Sequence, residues 1–385
     1  MESKVGFYWT PHTFLNFHMN DPRTLYHRSI LAILEHQHEG GGYVASPTYP
    51  SYQYGWFRDG SYIAYAMVIA GEFASSERYH RWVGSVLERY SKKMESLIER
   101  KGNNDYIPIE EQMHSRFTLE GEEVGSEWGN FQLDGFGTWL FALAEHVSQT
   151  GNRSLLHDLQ SEVSIVIKYL EAFWESPCFD CWEEHGDQVH IATLSALIGG
   201  LEAIGRVDQH RENASIIAQT IRAFLLGKGV KSGVLVKSPS SHHIDASLIS
   251  VALPYRVFAL DDPVIRETVW RIEAELGHGG VHRYPGDEYY GGGAWILLTA
   301  WLGWYYASIG NLDKAEELRD WVVSHAGAGG TLPEQVPDGL LSPQHLEQWI
   351  AKAGESATPL LWSHAMYILL EHEIFSRRMP TAPHK

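Results

Sequence analysis

Four short stretches of this sequence set carboxylates beside tryptophan or arginine: Trp56-Phe57-Arg58-Asp59, Glu127-Trp128-Gly129-Asn130, Cys181-Trp182-Glu183-Glu184 and His282-Arg283-Tyr284-Pro285-Gly286-Asp287. A further stretch, Gly330-Thr331-Leu332-Pro333-Glu334-Gln335, sets a carboxylate beside an amide. An indole wall next to a glutamate disfavours its charged form and keeps the carboxyl protonated, as a general acid requires. An arginine beside an aspartate offers donors and acceptors to several hydroxyls at once. Carboxylates from different loops, tryptophan walls and few basic groups together suggest glycoside hydrolysis, in which one carboxylic acid protonates the leaving oxygen and one carboxylate activates water. Each motif also has a plainer reading. Asp59 is equally an N-cap with Arg58 as its ion-pair partner. Glu183 and Glu184 repel, so without a cation or ligand one of them should take a proton, and the pair also fits an exposed acidic turn. Glu-Gln recurs at Glu111-Gln112, so the dipeptide alone carries little information.

Other chemistries find less support. The 21 His are scattered with no H-E-x-x-H or comparable spacing, so no metal is expected. There is no G-x-S-x-G elbow, P-loop or G-x-G-x-x-G after a strand, and no cofactor is expected. With 30 Lys+Arg against 48 Asp+Glu, the formal charge of −18 argues against a nucleic-acid or other phosphate-binding surface. The aromatic surplus of 14 Trp, 19 Tyr and 14 Phe fits a core or a carbohydrate platform equally. Cys178 and Cys181 form a lone C-x-x-C, short of the four ligands of structural zinc and outside any βαβ context. They read as two ordinary thiols in a tight loop, with a stray disulfide left open.

What must position these stretches is helical. Apolar periodicity marks about twelve helices, near Pro22–Glu35, Asp59–Ala70, Glu77–Glu99, Phe131–Thr150, Ser154–Trp174, Ile191–Ile204, Asp208–Leu226, Asp245–Leu253, Pro263–Leu276, Ala294–Ile309, Asp313–Ser324 and Ser356–Phe375, with no convincing strand pairs. Asp21-Pro22 and Asp262-Pro263 each offer an N-cap before a proline at the first helical position. Gly71, Gly151, Gly205 and Gly310 sit at helix ends just before another helix, as a left-handed C-cap and tight return would place them. Between these returns the connections are long: Gly40–Arg58, Gly102–Asn130, Glu175–His190, Gly227–Ile244, Gly277–Gly293 and His325–Glu355. Alternating short and long connections put the long loops at one end of a ring of helical hairpins, with the last helix pairing with the first. This predicts an all-α (α/α)6 barrel whose long loops converge.

In order along the chain, Tyr52-x-Tyr-x-Trp56-x-Arg58-Asp59, Trp128-Gly129-x-x-Gln132-x-Asp134, Trp182-Glu183-Glu184, Arg283-Tyr284-Pro285-x-Asp287-x-Tyr-Tyr290-x-Gly-x-x-Trp295, Pro333-Glu334-Gln335 and Pro359-Leu-x-Trp362-Ser363-His364 resemble the landmarks of the glucoamylase-type enzymes of glycoside hydrolase family 15. The resemblance implies an (α/α)6 barrel with inverting chemistry that releases β-glucose from the non-reducing end of an α-glucoside. It implies Glu183 as general acid and Glu334 as general base, with Glu184 on the leaving-group sugar and Tyr52 on the attacking water. Arg58 and Asp59 would bind the terminal glucose, Trp56, Trp128 and Trp182 would wall the pocket, and Arg283 would contact hydroxyls near the scissile bond.

Residues 1–385 are read as a single catalytic ring with room for neither the β-sandwich domain of many bacterial and archaeal members nor a starch-binding module. That architecture is similar to the single-domain isomaltose-hydrolysing members and favours short α-1,6-linked oligosaccharides, with maltose- and trehalose-acting members as alternatives. Met1-Glu2-Ser3-Lys4 opens no apolar signal core. The longest apolar run, Ala294–Ile309, falls short of the roughly 20 residues of a membrane span. A cytoplasmic enzyme with no membrane partner is therefore expected. Different classes are a sugar phosphorylase, which needs an anion pocket where Glu334 stands, an epimerase using His185, His190 or His282, and a non-catalytic sugar-binding toroid.

Overall fold

A computed structural model describes residues 21–125, 128–208 and 212–379; Glu127 and the first residues of the chain lie outside these. In chain order the helices are α1 (Pro22–Glu35), α2 (Phe57–Ile69), α3 (Phe73–Arg89), α4 (Ser91–Gly102), α5 (Asp134–Thr150), α6 (Arg153–Asp158) and α7 (Gln160–Phe173). They continue as α8 (Ile191–Val207), α9 (Glu212–Lys228), α10 (Pro263–Leu276), α11 (Ile296–Ser308), α12 (Leu312–Ser324), α13 (Leu346–Ala353) and α14 (Leu361–Arg378). An inner ring runs α2, α5, α8, the 3-10 segment Ala246–Val251, α11 and α14, and α14 closes on α2. Outside it, α1 packs on α14, α3 on α2, α7 on α4, α9 on α8, α10 on the 3-10 segment and α12 on α11. This is the expected toroid.

Composition explains which helices lie inside. The inner helix α11, ILLTAWLGWYYAS, is buried on nearly every side, whereas outer α10 buries only Ile265, Thr268, Val269, Ile272 and Leu276 of its fourteen residues. At the tightest inner contact, α5 against α8, glycines let the backbones meet. A Cβ added at Gly200 would lie 2.1 Å from the Gly137 carbonyl oxygen. Returns follow the punctuation: Gly151 caps α5 in the left-handed region at φ 71°, and the asparagine after it caps the next helix by accepting from Leu155 N at 3.2 Å. Gly310-Asn311 repeats the device before α12. Asp21 and Asp262 are N-caps as expected. Gly205 is different: it lies inside α8, which runs on to Val207.

Several elements depart from the periodicity reading. The span Glu77–Glu99 lies across two helices, α3 and α4, that meet at Tyr90, and Ser154–Trp174 breaks at Leu159 between α6 and α7. The Asp245–Leu253 helix is a 3-10 segment, and the final helix starts at Leu361, beyond Pro359, rather than at Ser356. Short α13 lies in the last long loop, where no helix was expected. Among the described residues three two-stranded antiparallel pairs also occur, against the expectation of no convincing pairs: β1 (Gly55–Trp56) with β2 (Arg116–Phe117), β3 (Val230–Lys231) with β4 (Val234–Leu235), and β5 (Ala294–Trp295) with β6 (Gln335–Val336). At two residues per strand they are too short for a period-two pattern to register. Two of them tie long loops to the starts of α2 and α11, at the end of the ring where the candidate residues gather. Among the described residues no helix is long and apolar enough to cross a membrane.

Candidate active site

Glu183 stands in the loop between α7 and α8, and its backbone takes a left-handed φ of 67°. That conformation is uncommon for a residue with a side chain. It is held by the loop's own bonds: Glu183 N donates to the Asp180 carbonyl at 2.9 Å, and Asp180 Oδ1 accepts from both Trp182 N at 3.0 Å and Glu184 N at 2.9 Å. The turn points the neighbouring glutamates apart. Glu183 receives the indole N–H of Trp128 at 2.5 Å, that of Trp56, and Gln132 Nε2 at 3.1 Å. Glu184 instead receives Tyr284 Oη at 2.5 Å and Arg283 Nη2 at 3.3 Å. Each carboxyl has its own donors, so the expected clash between them does not arise, and neither is simply an exposed acidic turn.

Arg58 and Asp59 occupy the first turn of α2. Asp59 is not the N-cap, because the helix already begins at Phe57. Arg58 Nε pairs with Asp59 Oδ1 at 3.2 Å, and Arg58 Nη1 donates to Gln132 Oε1 at 2.6 Å and to Asp134 Oδ2 at 3.4 Å. Arg58 Nη2 lies 3.9 Å from Glu183 Oε1. Burial pushes the Asp59 carboxyl up to about 6, more than Arg58 draws it down.

Glu334 comes from the last long loop and is only 4% exposed. Its backbone is fixed from both sides: Glu334 N donates to the Ala357 carbonyl at 2.9 Å and Ile296 N donates to the Glu334 carbonyl at 3.1 Å. Its carboxyl receives Tyr52 Oη at 3.1 Å and Tyr289 Oη at 3.2 Å, and the two phenol oxygens are 3.0 Å apart. Burial raises its pKa to about 7, against the lowering effect of Tyr52, Arg283 and Tyr289. The Tyr52 ring meets the Trp56 ring edge-on at 5.8 Å, and Trp56 is the residue that donates to Glu183. Two carboxyls from separate loops therefore face one aromatic wall.

Arg283 is gripped by Asp287 through Nε at 2.7 Å and Nη2 at 2.6 Å, and its guanidinium lies 5.5 Å from the Trp182 ring centroid. Burial opposes its charge, but Asp287, Glu184 and Tyr284 outweigh burial and push its pKa up. Trp182 is buried and donates its indole N–H to Asp245. Every residue expected at the site is thus brought together: Tyr52, Trp56, Arg58, Asp59, Trp128, Trp182, Glu183, Glu184, Arg283 and Glu334. Sequence reasoning gave no role to Tyr289, Tyr284, Gln132, Asp134 or Asp180, all of which bind site residues directly. Tyr284 and Tyr289 stand in the motif run itself, but a tyrosine there reads as wall until its hydroxyl is located. Among the described residues no group of three or more His, Cys, Asp or Glu is placed to hold a metal ion.

Two carboxyls carried by separate loops are the kind of pair that glycoside hydrolysis employs. Comparison with known proteins agrees. The family model described as "Glycosyl hydrolases family 15" matches residues 21–334. The isomaltose glucohydrolase of Kribbella flavida is 39% identical over 349 residues, which cover 89% of this chain and 90% of that protein. A glycosidase variant solved in complex with glucose superposes with a TM-score of 0.88 at 36% identity, covering 94% of this chain and 99% of the other. The Saccharomycopsis fibuligera glucoamylase, at 15% identity and a TM-score of 0.73 over 96% of this chain and 99% of its own, shares the fold. The chain is a glycoside hydrolase and belongs to glycosyl hydrolases family 15.

Proposed function

We propose that this enzyme hydrolyses short α-1,6-linked gluco-oligosaccharides of the isomaltose type from the non-reducing end, with inversion, and releases β-glucose. Glu183 protonates the leaving oxygen, and Glu334 takes a proton from the attacking water, which Tyr52 helps to hold. Arg58 and Asp59 bind hydroxyls of the terminal glucose, against walls formed by Trp56, Trp128 and Trp182. Glu184 contacts the leaving sugar, and Arg283 contacts sugar hydroxyls near the scissile bond. The observation that carries this reading is the shared wall: Tyr52 donates to Glu334 while packing on Trp56, which donates to Glu183. The name of the Kribbella flavida relative supports isomaltose as substrate.

All these groups come from the ring's own loops, so the ring is proposed as the catalytic unit. The setting proposed is cytoplasmic, where Cys178 and Cys181 would stay free thiols. Glu334 sits between two phenols rather than in a basic anion pocket, which favours water over phosphate as the attacking group. NMR of the first-formed product tests the stereochemistry: β-glucose is expected first, and α-glucose appearing first sinks inversion. Values of kcat/KM on isomaltose, maltose and trehalose test the linkage. Isomaltose is expected to lead, and a clear lead for either other disaccharide overturns the α-1,6 assignment.

A further inference from the structure

Beside the site, outside every group assigned so far, Lys237 is buried between two aspartates. Its Nζ lies 2.9 Å from Asp180 Oδ2 and 3.1 Å from Asp245 Oδ2, and all three side chains are at most 10% exposed. Charges so far from water are retained at a large desolvation penalty, so the arrangement calls for a reason beyond stability. The aspartates' remaining contacts supply one. Asp180 Oδ1 accepts the main-chain N–H groups of Trp182 and Glu184, the two residues that flank Glu183. Asp245 accepts the indole N–H of Trp182 at 3.1 Å and the N–H of Ser247 at 2.8 Å, which starts the fourth member of the inner ring. The ammonium also lies 4.2 Å from the ring centroid of Tyr284, whose hydroxyl donates to Glu184.

From these contacts we propose that Lys237 is a positioning residue for the proton donor: it fixes Asp180 and Asp245, and through them the left-handed turn that aims Glu183 at the leaving oxygen. The inference rests on Glu183 being the general acid. Removing the ammonium leaves two like charges buried side by side. One of them then takes up a proton or the two move apart, and either change disturbs the bonds to Trp182 and the turn that place the Glu183 carboxyl. Glu334, held by another loop, stays in place.

A substrate whose leaving group needs no proton separates these effects. With α-glucosyl fluoride, water attacks the anomeric carbon, the C–F bond breaks, fluoride departs with the bonding pair, and the proton from water passes to the base. Isomaltose must receive a proton on its leaving oxygen. Lys237→Met is expected to lower kcat on isomaltose by about 10- to 100-fold and on α-glucosyl fluoride by less than about threefold, since small misplacements of a catalytic group are that costly. Lys237→Arg should restore most of the isomaltose rate. If the paired aspartates keep Lys237→Met from folding, the double variant Lys237→Met with Asp245→Asn reads the same ratio, because it removes the ammonium and one of the two buried charges while keeping an acceptor for Trp182. Equal losses on both substrates in these variants, with Glu183→Gln still sparing the fluoride, overturn the positioning role. Equal losses in Glu183→Gln itself overturn the assignment of the acid, and this inference with it.

Discussion

The loop that carries Glu183 and the loop that carries Glu334 reach the same wall by different physics. The Glu334 loop is held by packing and neutral hydrogen bonds. Ser363 Oγ donates to the Pro333 carbonyl at 2.8 Å, Leu332 N donates to His364 Nε2 at 3.1 Å, and Leu360 N donates to the Leu332 carbonyl at 2.9 Å. Burial holds His364 well below its usual range, at about 3, so it stays neutral and able to accept. The Glu183 loop is held by charge, through Asp180, Lys237 and Asp245, and its carboxyl is the more open, with a side chain 17% exposed. The difference fits the roles proposed for the two groups. A proton donor has to meet a leaving sugar that enters and departs, whereas a base has only to hold one water. Neutral packing suits the position proposed for the base, and a buried ionic network fixes the turn proposed to aim the acid.

The largest expected effect breaks the comparison open at the carboxyls themselves. Both Glu183→Gln and Glu334→Ala should lower kcat on isomaltose by about 10²- to 10⁴-fold, the usual contribution of one acid or base. On α-glucosyl fluoride they should diverge, with Glu334→Ala losing as much as before and Glu183→Gln losing little. Rates of glucose release on the two substrates decide it, and the opposite pattern would exchange the two roles.

Next in size is a stability effect confined to the dry position. Folding raises the Glu334 pKa from an ordinary 4.5 to about 7. A carboxyl raised in the folded state favours folding while protonated, and that advantage is lost as pH climbs through the folded pKa. Glu334→Gln should therefore be about as stable as the parent near pH 4 and more stable near pH 8, by on the order of 2–3 kcal/mol. Urea midpoints at the two pH values test this. A difference that does not grow with pH would mean that Glu334 ionises without strain.

A smaller shift sharpens the same point. Glu334 must be ionised to act as a base, so activity should fall as pH drops through about 7. Tyr289 donates to its carboxyl and helps hold that value down. Tyr289→Phe should move the acidic limb of kcat/KM to higher pH while the hydroxyl of Tyr52 remains in place. A limb that stays put would show that Tyr52 and Arg283 set the ionisation without Tyr289.

How much of this could be read from the residues divides along the same line. The ring was legible because it is written in periodicity and punctuation: Asp21-Pro22, Asp262-Pro263, Gly151-Asn152 and Gly310-Asn311 mark helix ends by local rules. That the ten expected residues gather at one end of the ring was legible from the long loops that carry them and from their ordered motif series. What stayed hidden depends on distance in the fold. Lys237 sits in a loop that reads only as a Gly-Lys-Ser-rich connection, and nothing local tells that it reaches Asp180, 57 positions earlier by number (237 − 180). Gly205 misled for the opposite reason. The local rule for a C-cap was met, but α8 carries on past it to Val207.

The smallest effect tests whether the neutral loop really lacks the selectivity of the charged one. Ser363 Oγ makes a single hydrogen bond to the Pro333 carbonyl, beside Glu334. Ser363→Ala should lower stability by about 1 kcal/mol, the net value of one such bond. Any slack it introduces falls on the base, which both isomaltose and α-glucosyl fluoride require. Whatever activity is lost should then be lost in equal proportion on the two substrates, in contrast to Lys237→Met. A selective loss on isomaltose alone would mean that the two loops are mechanically coupled across the wall of Tyr52 and Trp56, and that the division between packing and charge does not extend to function.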